Sequence, residues 1–243
     1  MISATRLPAR PFAQNRTKNT GRGQRKRPEE AQISPLPRLV AKLLISGTSL
    51  LYGHEPSYRK FRALEVIARA PYHSWEAAAF FLLTFFYADE RRALALAATT
   101  RFARTAQDNE TLHVVVVSGL ARQAGQCGFW RDTAVPLALT LAASTASFLL
   151  FLANPPWSFE VNAVLEAHAY EQYGRFLAKH GEALKKTPIS GPFLAWHGRA
   201  TSTEYAFFRS VQRDERAHWH ASLQQARAWQ RTRTSGGRPD PPA

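Results

Sequence analysis

The chain has 243 residues, and 32 Lys and Arg against 18 Asp and Glu leave a net charge of +14. A single cysteine, Cys127, excludes a disulfide framework and any zinc site built from several thiolates. With 45% hydrophobic residues the chain can bury a sizeable core, and its charge points to an anionic partner, either nucleic acid or an acidic membrane surface.

The charge is unevenly spread. Residues 1–28 hold eight Lys and Arg and no acid. The arm over 1–32 has too little apolar surface to offset the entropy of ordering it. It reads as a solvated tail, an organelle transit peptide or a nucleic-acid-binding arm. No zinc-finger, RNA-recognition or glycine-rich phosphate motif supports the last of these. Residues 229–243, rich in Arg, Gly and Pro, read as a second disordered tail. Between them, residues 33–228 are expected to form one helical domain. A membrane surface accounts for its remaining charge better than nucleic acid does.

Pro35 and Pro37 lead into an apolar helical run over 39–45, which a break at 53–56 closes. A second helix is expected over 58–70, stopped or kinked by Pro71. An apolar segment follows over 76–87, and a long Ala-rich helix over 89–124. Val114, Val115, Val116 and Val117 favour a strand by propensity, but the helical periodicity on both sides overrides them. Residues 133–159 contain no charge, a length sufficient to cross a bilayer, and a buried bundle helix is the alternative reading. The sequence Asn154-Pro155-Pro156 ends that run. Further helices are expected over 159–180 and 202–228, with a polar loop over 181–198.

Two Glu-x-x-His pairs stand out: Glu110 with His113, and Glu215 with His218. Residues three apart share a helix face, so each pair can converge on one metal. A bundle that holds two metals needs one more Glu from each of two other helices. Glu65 and Glu166 are the candidates, and intervals of 45, 56 and 49 residues between successive glutamates leave room for a helix and its return. Around Glu110 the same face carries Ala103, Ala106, Val114 and Val117. Around Glu215 it carries Phe208, Val211 and Ser222, and around Glu166 it carries Asn162, Ala169, Tyr170 and Tyr173. The alternative is a set of unrelated surface acids and helix histidines. An acid on an apolar face needs a partner, however, and metal ligation supplies one. Ligands rich in carboxylate and poor in imidazole suit iron or manganese better than zinc.

Four stretches together resemble the alternative oxidases, the non-haem di-iron quinol oxidases. They are Leu64-Glu65-Val66-Ile67-Ala68-Arg69-Ala70-Pro71-Tyr72, Asn109-Glu110-Thr111-Leu112-His113, Leu165-Glu166-Ala167-His168-Ala169-Tyr170-Glu171-Gln172-Tyr173 and Arg213-Asp214-Glu215-Arg216-Ala217-His218. They occur in the family's order. His168 and the stretch from Gly181 to Pro188 are similar to the plastid, plastoquinol-oxidising type.

The resemblance implies an all-α fold: a ferritin-like four-helix bundle with extra short apolar helices forming a monotopic membrane surface. Residues 39–51 and 77–87 would supply that surface. Two Fe would be held by Glu65, Glu110, His113, Glu166, Glu215 and His218. Tyr173 would be the catalytic tyrosine, giving an electron and a proton. Asn109 and Asp214 would orient the imidazoles. Arg59, Lys60, Leu165, His168 and Ala169 would form the quinone pocket, and Trp196 would match a buried tryptophan. The implied reaction passes electrons from ubiquinol or plastoquinol to O2, forming water without proton pumping. The implied partners are quinol, O2, a lipid surface and a second copy in a homodimer that is not disulfide-linked, with no nucleic acid. The membrane would be the thylakoid, the mitochondrial inner membrane or a bacterial inner membrane, with the plastid type favoured. The rival reading is a soluble ferritin-like di-iron oxygenase or iron-storage protein.

Overall fold

In the computed structural model, residues 33–234 are described; the arm over 1–32 and residues 235–243 lie outside the described residues. Seven α-helices follow in order: α1 (Pro35–Tyr52), α2 (Tyr58–Phe86), α3 (Glu90–Gln123), α4 (Val135–Ala153), α5 (Pro155–Lys186), the short α6 (Pro192–Trp196) and α7 (Glu204–Thr234). A π-helical turn, Trp130–Ala134, leads into α4. No strand occurs among the described residues; Pro188 and Thr203 form one isolated antiparallel bridge.

The protein is an all-α bundle. Helix α2 packs along α3, and α5 along α7; contacts of α2 with α5 and of α3 with α7 close the bundle. Helix α1 lies on α5 and α2, and α4 lies on α2 and α5. The start of α1 is tied down where the buried Glu160 accepts from the Ser34 backbone N–H at 2.8 Å.

Local chemistry explains most of the helix ends. Ser57 caps α2 by accepting from the Lys60 N–H, and Asp89 caps α3 by accepting from the Arg92 N–H. Pro35 and Pro37 sit in the first turn of α1, where a missing N–H costs nothing. Asn154 ends α4, and Pro155 and Pro156 open α5, so the uncharged stretch over 133–159 is divided between two helices.

The helix pattern departs from the sequence expectation at four points. Pro71 neither stops nor separates α2, so the apolar segment 77–87 is the end of that helix rather than a short helix of its own. Burial of Phe61 and Ala63 before the proline, and of Tyr72 and Trp75 after it, holds both halves in one helix. Helix α1 is longer than the 39–45 run. Helix α5 continues to Lys186 because Leu184 is buried, and Gly181 gives Tyr205 room to approach: a Cβ there would lie 3.3 Å from its ring. Helix α7 continues to Thr234, past the expected boundary at 228, because Trp229 donates to Thr99 Oγ1 at 3.3 Å and packs on Phe151.

Two apolar layers fill the bundle. One joins Phe61, Leu112, Val117, Tyr173, Phe176, Phe207, Phe208 and Val211. The other joins Tyr72, Trp75, Ala103, Ala106, Phe151, Phe159 and Ala226. On each of α2, α3, α5 and α7 the glutamates and histidines of interest fall between a residue of the first layer and one of the second. Dry packing above and below therefore isolates them from water.

Candidate metal centre

Helices α2, α3, α5 and α7 bring the six expected side chains together. Glu65, Glu110, Glu166, Glu215, His113 and His218 are all buried. They form two groups of four, each with its ligand atoms within 4.8 Å of one another: Glu65, Glu110, His113 and Glu215, then Glu110, Glu166, Glu215 and His218. Glu110 and Glu215 belong to both. Each group thus has one glutamate and one histidine of its own, plus two shared carboxylates. The cluster therefore offers two overlapping sets of ligand atoms.

His113 Nδ1 lies 3.3 Å from Glu65 Oε2, 3.4 Å from Glu110 Oε2 and 3.3 Å from Glu215 Oε1. His218 Nδ1 lies 2.7 Å from Glu110 Oε1. Despite these approaches, both Nδ1 atoms, both oxygens of Glu110 and of Glu215, and one oxygen each of Glu65 and Glu166 make no hydrogen bond of good geometry. Buried polar atoms are normally satisfied. Eight inward-facing lone-pair atoms without a partner suit a site whose missing component is a cation. The buried cluster can bind metal ions.

The electrostatics agree. Burial, then the charge of Glu110, pushes the Glu65 carboxyl up to about 8. Burial and neighbouring carboxylates raise Glu166, and raise Glu215 further. At Glu110 burial acts upward too, but His113 and His218 outweigh it and hold the group well below the carboxylate range. Both histidines are raised, because the carboxylates around them overcome the effect of burial. Without metal, protons take the positions that a cation would fill.

The outer nitrogens of the two imidazoles face residues of the opposite helix, in a crossed pattern. His113 of α3 meets Asp214 of α7, Nε2 to Oδ2, at 3.1 Å. His218 of α7 faces Asn109 of α3, Nε2 to Nδ2, at 3.5 Å. The Asp214 carboxylate accepts from the His113 ring and fixes its rotation; at His218 the Asn109 amide N–H faces the ring as a second donor. Glu166 has its own support: Tyr72 donates to its Oε1 at 2.7 Å, and Asn162 donates to the same oxygen at 3.1 Å and to Ser222 Oγ at 3.0 Å. Tyr173 is buried, stacks on Phe61 with ring centroids 4.1 Å apart, and donates its hydroxyl to Glu65 Oε1. Burial and the Glu65 charge hold its phenol well above the usual range.

A narrow cavity of about 40 Å³ opens beside the cluster. Leu44, Ile45 and Thr48 of α1 form one wall, and Leu64, Ile67, Leu165, His168 and Ala169 others, with Glu65, Glu166 and Glu215 at its end. Of the residues expected in a quinone pocket, Leu165, His168 and Ala169 line this cavity; Arg59 and Lys60 do not. Arg59 instead pairs with the buried Asp132 of the π-helical turn, Nε to Oδ1, at 2.9 Å. The buried Lys60 ammonium donates to the His54 carbonyl at 3.2 Å. His168 is held down to about 4 by burial, then by the charges of Lys60 and Arg175, so its ring is neutral near pH 7. Trp196, expected to be buried, is 73% exposed at the end of α6.

Tyr72 and Arg199 were not singled out by sequence reasoning. Tyr72 falls within a matched stretch, but only the packing of α2 against α5 brings it to Glu166. Arg199 comes from an irregular loop with no periodicity to mark it.

The sequence is 30% identical over 132 residues to the chloroplastic/chromoplastic Ubiquinol oxidase 4 of Arabidopsis thaliana. The match covers 54% of this chain, which spans about a third (35%) of the relative's length. No protein-family model and no solved structure matches the chain. The match supports the resemblance to the alternative oxidases.

Proposed function

We propose that this chain is a membrane-bound quinol oxidase of the alternative oxidase type, passing electrons from ubiquinol or plastoquinol to O2 at a pair of irons. The observation that carries the reading is the pair of overlapping ligand groups sharing Glu110 and Glu215, at the end of an apolar cavity. Glu65, His113, Glu166 and His218 are the unshared ligands. Iron fits the donor set of four carboxylates and two imidazoles, with manganese next. Bound there, a pair of irons supplies the electron storage needed to couple quinol oxidation to the reduction of O2 to water.

The protein's own residues do the rest. Leu165, His168 and Ala169 line the approach to the site, and the neutral His168 ring is able to accept a hydrogen bond from a quinol hydroxyl. The present cavity has room for a water or two. A quinol ring enters only when Leu44, Ile45 and Thr48 of α1 move aside. Tyr173 holds a proton against Glu65, and its phenol is the group poised to release that proton and an electron inward. The layers above and below exclude water, which limits side reactions.

The membrane reading rests on exposed apolar side chains. On α1 these are Leu36, Leu39, Leu43 and Leu50, and on α4 Leu137, Leu141 and Leu149; the end of α2 adds Phe80, Phe81 and Phe85. Patches of this kind mark a membrane or protein interface. The protein lies in one leaflet, in a plastid-type membrane, as a homodimer. The stretch Trp130–Ala153 is long and apolar enough to cross a bilayer by length and composition; the monotopic reading instead lays it along the surface.

The deciding experiment is cyanide-resistant quinol oxidation by membranes containing the chain, with Glu110→Ala as the control. Oxidation that the variant lacks supports the reading. Cytosolic protein that takes up iron and oxidises no quinol makes it a ferritin-like oxygenase or storage protein instead.

A further inference from the structure

A second cavity, of about 20 Å³, lies next to the one that ends at the metal-facing carboxylates. Val40 of α1, Pro71 of α2, Ala143 and Ala146 of α4 and Val161 of α5 line it. Leu44, Ile67 and Leu165 line both cavities, so these three aliphatic side chains form the partition between them. Helices α1 and α4 both lie on α2 and α5 but do not pack on each other, and the second cavity occupies the cleft between them. Val40 on one side of the cleft and Ala146 and Leu150 on the other are half-buried, and their chain neighbours Leu39 and Leu149 are exposed. The second cavity therefore opens toward the face proposed to meet lipid.

The two cavities differ in chemistry. The first carries His168 and ends at Glu65, Glu166 and Glu215, all with polar atoms that lack a partner. The polar side chains on the second are Ser147 and Ser158, and both hydroxyls are engaged. Ser158 Oγ accepts from Trp75 Nε1 at 2.7 Å and donates to the Ser147 carbonyl at 3.1 Å, and Ser147 Oγ lies 2.8 Å from Ser158 Oγ. The lining side chains thus keep no donor free for water. Cavities walled by aliphatic side chains stay dry and take apolar guests such as xenon. The second cavity has room for a diatomic molecule and none for a quinol ring.

We propose that the second cavity is a gas passage, which takes O2 from the lipid-facing cleft and passes it across the partition of Leu44, Ile67 and Leu165 to the carboxylate cluster. On the quinol-oxidase reading, on which this rests, the reaction has two substrates of unlike size and polarity. A quinol lodged against His168 blocks the first cavity, and O2 then needs an entrance of its own. O2 is apolar and prefers hydrocarbon to water, so a mouth on the lipid face meets it at its source. Rotamer changes of three aliphatic side chains open the partition without breaking a hydrogen bond.

The test uses the full chain in three forms: wild type, Ala146→Phe, whose ring fills the second cavity, and Ala142→Phe, which adds the same bulk at an exposed position of α4 off the cavity. Crystals pressurised with xenon report on the cavity without turnover. Xenon is expected beside Ala143 and Val161 in the wild type and in Ala142→Phe, and not in Ala146→Phe. In membranes, Ala146→Phe is expected to raise the KM for O2 about tenfold, with the quinol KM and the kcat at saturating O2 unchanged. Above saturating quinol its KM for O2 keeps rising, because both substrates now share one entrance, whereas the wild-type value levels off. No xenon in the wild type, or ordered water in its place, overturns the proposal. So does an unchanged KM for O2 in a variant that has lost xenon, or an equal rise in Ala142→Phe. If Ala146→Phe does not fold, Ala146→Leu takes its place under the same expectations. A wild type that oxidises no quinol refutes the proposed function, and the O2 role with it, even where xenon binds. A wild type that turns over, beside a filled variant with an unmoved KM for O2, refutes this inference alone.

Discussion

Replacing Tyr72 with Phe isolates the support of one metal-facing carboxylate. The ring is fully buried and packs edge-on against Trp75 and Phe102, and Phe keeps those contacts. The hydroxyl that disappears donates to Glu166 Oε1 at 2.7 Å and accepts from Asn162 Nδ2 at 3.1 Å. Asn162 stays satisfied through Glu166 and Ser222, so the cost falls on Glu166. In the metal-free protein burial and the Glu110 charge push that carboxyl toward its neutral form. The lost bond is then worth about 1 kcal/mol. With metal bound the carboxylate is ionised, and a hydrogen bond to a charged acceptor is worth about 1.5–3 kcal/mol. The difference, roughly 0.5–2 kcal/mol, appears as metal affinity, a weakening of about 2- to 30-fold. It falls on one position only, because Glu166 belongs to one of the two ligand groups. Anaerobic Fe(II) titration followed by calorimetry measures the affinity at each position, and guanidinium unfolding with and without metal measures the two stabilities. An equal loss of stability in the metal-free and loaded proteins would refute the reasoning, as would equal weakening at both positions.

Other outcomes follow from the same geometry. Glu110→Ala removes a ligand from both groups and should abolish binding of both metals, whereas Glu65→Ala leaves the second group whole and should retain one; metal analysis of purified protein distinguishes them. Because Glu65 is raised to about 8 from an ordinary 4.5, metal uptake must displace a proton. Affinity should tighten as pH rises toward 8, with proton release visible in buffers of different ionisation heat. By the same linkage the Glu65 contribution to metal-free stability is full below about 4.5 and lost as pH rises through about 8, which unfolding at a series of pH values measures. Tyr173→Phe should keep its iron and lose turnover; full turnover in a quinol oxidation assay rules out its role. Leu43→Lys and Leu50→Lys, at positions 64% and 86% exposed, should release the protein from membranes on fractionation while changing stability by no more than about 0.5 kcal/mol.

The ligand set was legible because each member repeats a helical period against apolar neighbours. Ala103, Ala106, Val114 and Val117 are buried or nearly so, whereas Arg101, Arg104 and Asp108 are exposed, as the face around Glu110 requires. The run of four valines follows its helical surroundings rather than its own propensity, because burial of Val114 and Val117 on one face is worth more than a local preference. Pro71 was misleading for the complementary reason. A proline weakens one turn, and packing of Tyr72 and Trp75 beyond it lets the helix continue. Arg199 was not legible at all. Its partners lie 90 residues away at Asn109 and across the loop at Ser210 and Asp214, and no pattern along the chain joins them. Trp196 failed for a related reason: α6 is only five residues long, so which of its faces meets the bundle depends on the loops at its two ends.

The number of metal ions is constrained by charge. Four carboxylates meet between two apolar layers, and among the described residues no Lys or Arg forms an ion pair with any of them. Two imidazoles are the groups of opposite polarity that face them. The metal-free cluster relieves its repulsion with protons, which is why Glu65, Glu166 and Glu215 are all raised. One divalent ion in either group balances two of the four carboxylates, and the other two stay neutral only by keeping protons. Each buried, uncompensated ion costs several kcal/mol. Two divalent ions balance four carboxylates and leave both imidazoles neutral, as ligands must be. Glu110 and Glu215 belong to both ligand groups and would be available to an ion in either. On the proposed reading, a single divalent ion leaves two carboxylates dependent on protons, and a pair of ferrous ions would replace those protons.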